Sequence, residues 1–164
     1  MRKPRALALG LVTVLAGALL SAPAATTADA ASADRAGKAR QTFLILDTNA
    51  EDPDATVVGL GAIHATGTDV VVSAKRDRFE FPDGNVIIRH KVAKGSIRES
   101  FDPDTCYYTF SERGTWKAVD GSDAYEDVEG GGNYTAIGWA IGCNENEPPE
   151  LFSLRVVAKG SVTY

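Results

Sequence analysis

The sequence predicts an all-β fold: an eight-stranded, mainly antiparallel closed barrel that follows an N-terminal signal peptide. Three observations carry this. From Gln41 onward almost every segment alternates apolar and polar residues or is rich in β-formers, the period of a strand with one buried side. Glycines such as Gly59, Gly61 and Gly138 fall inside these segments, where they ease the coiling that closure requires. The final run, 152–164, is long and amphipathic, suited to zip onto the first strand so that neither remains an edge. Short turns favour antiparallel neighbours over parallel crossovers.

Taken in order, Arg2, Lys3 and Arg5 make a positive start, and 6–20 is an uncharged, mostly apolar run. Ala-x-Ala sites end at Ala24, Ala30 and Ala33. These are the three parts of a secretory signal peptide, assigned to 1–30. The apolar run is short for the roughly 20 residues of a spanning helix. Residues 31–40 are small and polar and read as a flexible lead. The barrel domain is then 41–164, about 125 residues, enough for one core.

The first strand is expected at 42–47, followed by an acidic, proline-containing loop. The second spans 57–66, with Val58, Leu60, Ala62 and His64 on one face and Gly59 and Gly61 on the other. A long arm, 69–81, carries Asp77, Phe79 and Phe81 on its apolar phase. Pro82, Asp83 and Gly84 supply turn chemistry, and 85–92 returns with Val86, Ile88 and His90 on one face. Residues 95–105 read as a loop, and 106–111 with 115–119 as a hairpin across Glu112, Arg113 and Gly114. A shaped, glycine-rich acidic loop covers 120–132. Residues 133–143 are strongly β, with Ile137, Trp139 and Ile141 on one face and Ala136, Gly138 and Ala140 on the other.

The chain carries a net charge of −5. Loss of the leader removes three basic residues and one acidic one and moves the mature charge to −7. So acidic a surface is poorly suited to a phosphate backbone or an anionic membrane, so neither nucleic acid nor, after cleavage, a membrane is an expected partner. The two cysteines, Cys106 and Cys143, favour a disulfide in an exported protein, two reduced buried thiols being the alternative. Two cysteines and two separated histidines offer no metal-ligand spacing, and no cofactor motif is present. The triple glycine at 130–132 is not a phosphate loop, because no strand–loop–helix unit surrounds it.

The run Asp77-x-Phe79-x-Phe81-Pro82-x-Gly84, then Cys106, then Gly121-Ser122-Asp123-Ala124-Tyr125, resembles secreted bacterial proteins with an allene oxide cyclase-like barrel, the fold shared with plant dirigent proteins. That family usually shows Gly-Thr-Gly-x-aromatic at the last motif and a further glycine five residues on, matched here by Gly130. Asp123 stands where the family has glycine. The likeness covers about residues 42–164 and implies the barrel fold, a lipophilic ligand or cyclase-type chemistry, and a homo-oligomer. No catalytic residue carries over.

His64 and His90 are the only histidines, and both fall on apolar phases. Either they line a cavity and meet a ligand, or they are packed core residues. Asp77 shares the phase of Phe79 and Phe81, as a ligand anchor or a structural carboxylate at a bend. Tyr108 and Trp116 belong to the aromatic supply for a cavity wall or a filled core. The candidate ligand-binding set is therefore His64, Asp77, His90, Tyr108 and Trp116. Three functions stay open: a secreted binder of a small lipophilic molecule, a cyclase or isomerase acting by folding its substrate, and a cell-envelope structural or interaction module with a filled core.

Overall fold

A computed structural model of the chain describes residues 37–52, 54–144 and 147–164, so the signal peptide and most of the lead lie outside the described residues. Ala39 and Arg40, expected in the lead, already belong to the first strand. Among the described residues there are nine strands: β1 (Ala39–Asp47), β2 (Ala55–Gly61), β3 (Thr66–Ser73), β4 (Arg76–Phe81), β5 (Gly84–Val92), β6 (Arg98–Asp102), β7 (Tyr107–Gly121), β8 (Glu129–Ile141) and β9 (Leu151–Thr163). One 3₁₀ turn, Asp123–Tyr125, precedes β8.

Eight of these strands close a barrel. The order β5-β4-β3-β2-β1-β9-β8-β7 returns to β5 through a β5–β7 pairing, and every pairing is antiparallel. The long last strand does join the first, with Ala39 opposite Val162 and Asp47 opposite Leu154. Closure removes the edges that both would otherwise present.

The number of barrel strands agrees with the sequence reading, although boundaries differ. β6 lies within the loop expected at 95–105, β8 begins at Glu129 within the loop expected at 120–132, and β2 ends at Gly61 rather than at 66. The arm expected at 69–81 is two strands, β3 and β4, joined at Ala74 and Lys75. The hairpin expected across Glu112–Gly114 is instead one continuous strand, β7. Gly114 is forced by packing rather than by a turn: a Cβ there would lie 2.3 Å from the Lys91 carbonyl oxygen and 2.4 Å from the Tyr134 ring.

β7 and β8 run past the end of β5, and β6 takes the vacated edge of β7 at Tyr107–Ser111. Arg113 marks the exchange. Its carbonyl accepts from Ala93 N at 2.8 Å and from Ser96 Oγ at 2.8 Å, while its N–H donates back to Ser96 Oγ at 3.2 Å. Cys106 and Cys143 form a disulfide across the tip of this extension, with Cα atoms 4.9 Å apart.

The core fills one half of the barrel. Phe43, fully buried, meets the Phe79 ring edge-on at 5.1 Å and the Trp116 ring at 5.4 Å. Beyond them Phe81 touches Tyr125 at 6.1 Å, and Tyr125 touches Tyr164 at 5.3 Å. Tyr164 donates to the Ala62 carbonyl at 2.7 Å, tying the last residue to the β2–β3 turn. Gln41, 2 % exposed, holds the same turn by accepting from Ile63 N at 2.8 Å and donating to Ile63 O at 3.1 Å. A buried amide is tolerated when paired in this way.

The 3₁₀ turn lies across this end. Asp123 adopts φ +54, a left-handed conformation that suits glycine and that aspartate tolerates better than most residues. Tyr125 and Val128 are thereby turned inward and buried.

Candidate functional site

The opposite end of the barrel is open. There β1 ends at Asp47, β2 begins at Ala55, β3 ends near Val71, β4 begins near Asp77 and β5 ends near His90. A cavity of about 330 Å³ enters from this end. Its floor is Phe43, Phe79, Ile88 and Trp116, the upper face of the aromatic core.

Small side chains make the room. Ala136 on β8 and Ala158 on β9 face inward and are buried, and both line the cavity with Ala55 of β2. The face of β8 that carries the larger side chains is therefore outside: Ile137 is 52 % and Trp139 37 % exposed. The inner phase of β8 is Tyr134, Ala136 and Gly138. β2 is inverted in the same sense, with Val57 fully buried and Leu60 45 % exposed.

The candidate residues separate into two groups. Asp77, His90 and Trp116 all line the cavity. His90 Nε2 lies 3.4 Å from Asp77 Oδ2, and its ring meets Tyr134 edge-on at 6.1 Å. Trp116 Nε1 donates to the Lys159 carbonyl at 3.4 Å, which fixes the indole in the floor. His64 and Tyr108 do not line it. His64 falls just past β2, in the turn to β3, and is exposed. The phase that placed it inside belongs to the outer face of β2, and Ile63 points inward instead, 1 % exposed. Tyr108 shares the phase of Trp116, but it sits on the β7 extension, beyond the barrel wall.

Three carboxyls of the cavity did not stand out in the sequence, Asp69, Glu112 and Asp47, nor did the Tyr134 phenol. Asp69 is 8 % exposed, and its Oδ1 is buried without a hydrogen-bond partner. Burial, then the carboxylates of Asp77, Asp54 and Asp47, push its pKa up to about 8. Asp77 is also raised by burial, and His90 offsets only part of that. Glu112 accepts from the Tyr134 hydroxyl at 2.8 Å. Burial, followed by this bond and the Glu112 charge, raises the Tyr134 phenol. The clue to Asp69 was periodicity, since it shares odd numbering with Val71, Asp77 and Phe79. Glu112 sits four residues before Trp116, on the same phase, but was read as a turn residue.

Chemically, the site is an apolar pocket with an acidic mouth. It can bury an apolar body on aromatic rings and present carboxyls, one imidazole and one phenol to a polar group. No family model, no curated protein and no solved structure matches this chain.

Proposed function

We propose that this is a secreted barrel protein that holds a small lipophilic molecule in the open half of its barrel. The cavity of about 330 Å³ carries the reading. It lies within the roughly 300–1,000 Å³ of small-molecule sites, which are mostly apolar with a few placed polar groups. The disulfide suits an oxidising compartment and so supports export. The same volume weakens the filled-core alternative, since a well-packed interior leaves few voids larger than a water molecule.

Cyclase or isomerase chemistry is a second reading, drawn from the likeness to allene oxide cyclase-like barrels. Asp69 favours it, because a carboxyl that keeps its proton to about pH 8 against a cavity wall is placed as a general acid.

Untargeted mass spectrometry on protein recovered from culture medium, then denatured, tests binding. The expected result is a small apolar compound released by the native protein and absent from an Ala136→Phe variant, whose new ring fills the cavity. A native protein that releases nothing, and whose melting temperature ignores a panel of lipophilic probes, would overturn the proposal.

A further inference from the structure

The ligand's chemical class can be taken one step further, on the reading that the cavity holds a lipophile. Four carboxyls reach the cavity, Asp47, Asp69, Asp77 and Glu112, from β1, β3, β4 and β7. His90 is the one basic side chain among the lining residues, which include no lysine or arginine. The cations of the surrounding strands alternate outward. Arg78 pairs with Glu80 at 2.7 Å on the outer face, and Arg89, Lys91 and Lys117 are exposed.

The inward carboxyls are unevenly satisfied. Asp77 has His90, and Glu112 has the Tyr134 hydroxyl. Asp69 is more than nine-tenths buried and lines the cavity, yet its Oδ1 has no partner. A buried polar atom left unpaired is costly and is the exception in folded proteins. Because Asp69 lines the cavity, a bound molecule is a partner that fits it.

We propose that the cavity takes an organic amine, with its apolar or aromatic body on Phe43, Phe79 and Trp116 and its protonated nitrogen donating to Asp69. An ammonium gains from the surrounding carboxylates and from the nearby rings of Trp116 and Tyr134. A neutral lipophile leaves the excess acid uncompensated, and an anionic one is repelled. A metal ion fits less well, since among the described residues no three potential ligands converge. Asp69 is held protonated by burial and by its acidic neighbours when the cavity is empty. An adjacent cation favours its charged form, so the amine binds as the carboxyl gives its proton to solvent.

Isothermal titration with tryptamine, tryptophol and indolepropionate tests this on the disulfide-intact protein near neutral pH. These probes share an indole and differ in the polar end: ammonium, hydroxyl, carboxylate. Tryptamine should bind at least about tenfold tighter than tryptophol, a gap of about 1.4 kcal/mol, with indolepropionate weakest. Asp69→Asn should remove most of that preference, bringing the two affinities within about threefold of each other. Asp47→Asn, at the rim, should reduce the preference by less and serves if the first variant folds poorly. Equal binding of tryptamine and tryptophol, with both lost in Ala136→Phe, would overturn the amine and leave the lipophile reading intact. No binding of any probe would sink both.

Discussion

The two ends of the barrel are built from the same strands and solve opposite problems. At the plugged end Phe81, Tyr125, Val128, Ile63 and Val162 are all buried, Gln41 is buried but paired with the Ile63 backbone, and the exposed Tyr164 ties down Ala62 O. At the open end alanines stand where large residues would fill the interior, and Asp69 keeps an unpaired oxygen. The first arrangement follows from burying large apolar side chains and pairing the one amide buried among them. The second sacrifices both at one place. Departures of this kind, where a chain gives up local stability, concentrate at functional sites.

The largest contrast should appear on truncating a side chain at each end. Phe81→Ala removes a ring that touches Phe43, Phe79 and Tyr125. It should cost about 3–5 kcal/mol in denaturant unfolding. Leu154→Ala, at the mouth, should cost less than half of that, because its site already borders space. Equal losses would remove the distinction between the two ends.

The disulfide sharpens the comparison from outside the barrel. Replacing Cys106 and Cys143 by serine should lower stability by about 2–4 kcal/mol by loop-closure reasoning. The tip of the β7–β8 extension should lose hydrogen-exchange protection while the Phe43 layer keeps it. Early exchange at Phe43 would mean that the extension supports the barrel itself.

How much of this was legible in the sequence depends on which end is considered. The plugged end and the cavity floor follow from alternation, because Phe81 and Val86 in the one and Phe79 and Ile88 in the other are large and share the inner phase. The count of eight barrel strands was also legible, although dividing 69–81 and joining 106–121 cancelled. The open end inverts the rule that large apolar residues point inward. Ile137 and Trp139 face out, and Ala136 and Gly138 face in, because a cavity needs small walls. Size-weighted alternation assumes a filled interior, so it does not find the inner face of β8, and it chose the wrong face of β2 and so misplaced His64. β6 gave no signal, since all five of its residues are exposed and its pairing depends on β7 outrunning β5.

A smaller effect separates the ends by pH. Asp69 has its pKa raised from the ordinary 3.8 to about 8 in the folded protein. Between those values the native state holds a proton that the unfolded chain has released, so this group lowers stability as pH rises from about 4 to 8. Asp69→Asn should therefore stabilise the protein at pH 8, by on the order of 1–3 kcal/mol, and change it little at pH 4. Thermal melts at the two pH values check this. A variant less stable at pH 8 would show that the Asp69 carboxylate is satisfied after all.

The smallest effect concerns Tyr134→Phe, which deletes the hydroxyl that Glu112 accepts from at 2.8 Å. A loss of about 1 kcal/mol is expected in chemical denaturation, since the bond is half-buried and Glu112 regains water at the mouth. A loss above about 3 kcal/mol would place this pair in a sealed interior rather than at an opening.

The central claim, that one end of the barrel is a site and the other a plug, is tested most directly by methyl NMR during an indole titration. The methyls of Ile45, Ile88, Ala136 and Ala158 line the cavity and should shift and saturate together. Those of Ile63 and Val162, buried at the plugged end, should stay in place. Shifts confined to Ile137 and Leu151 on the outer surface, with Ala136 and Ala158 unmoved, would contradict the account.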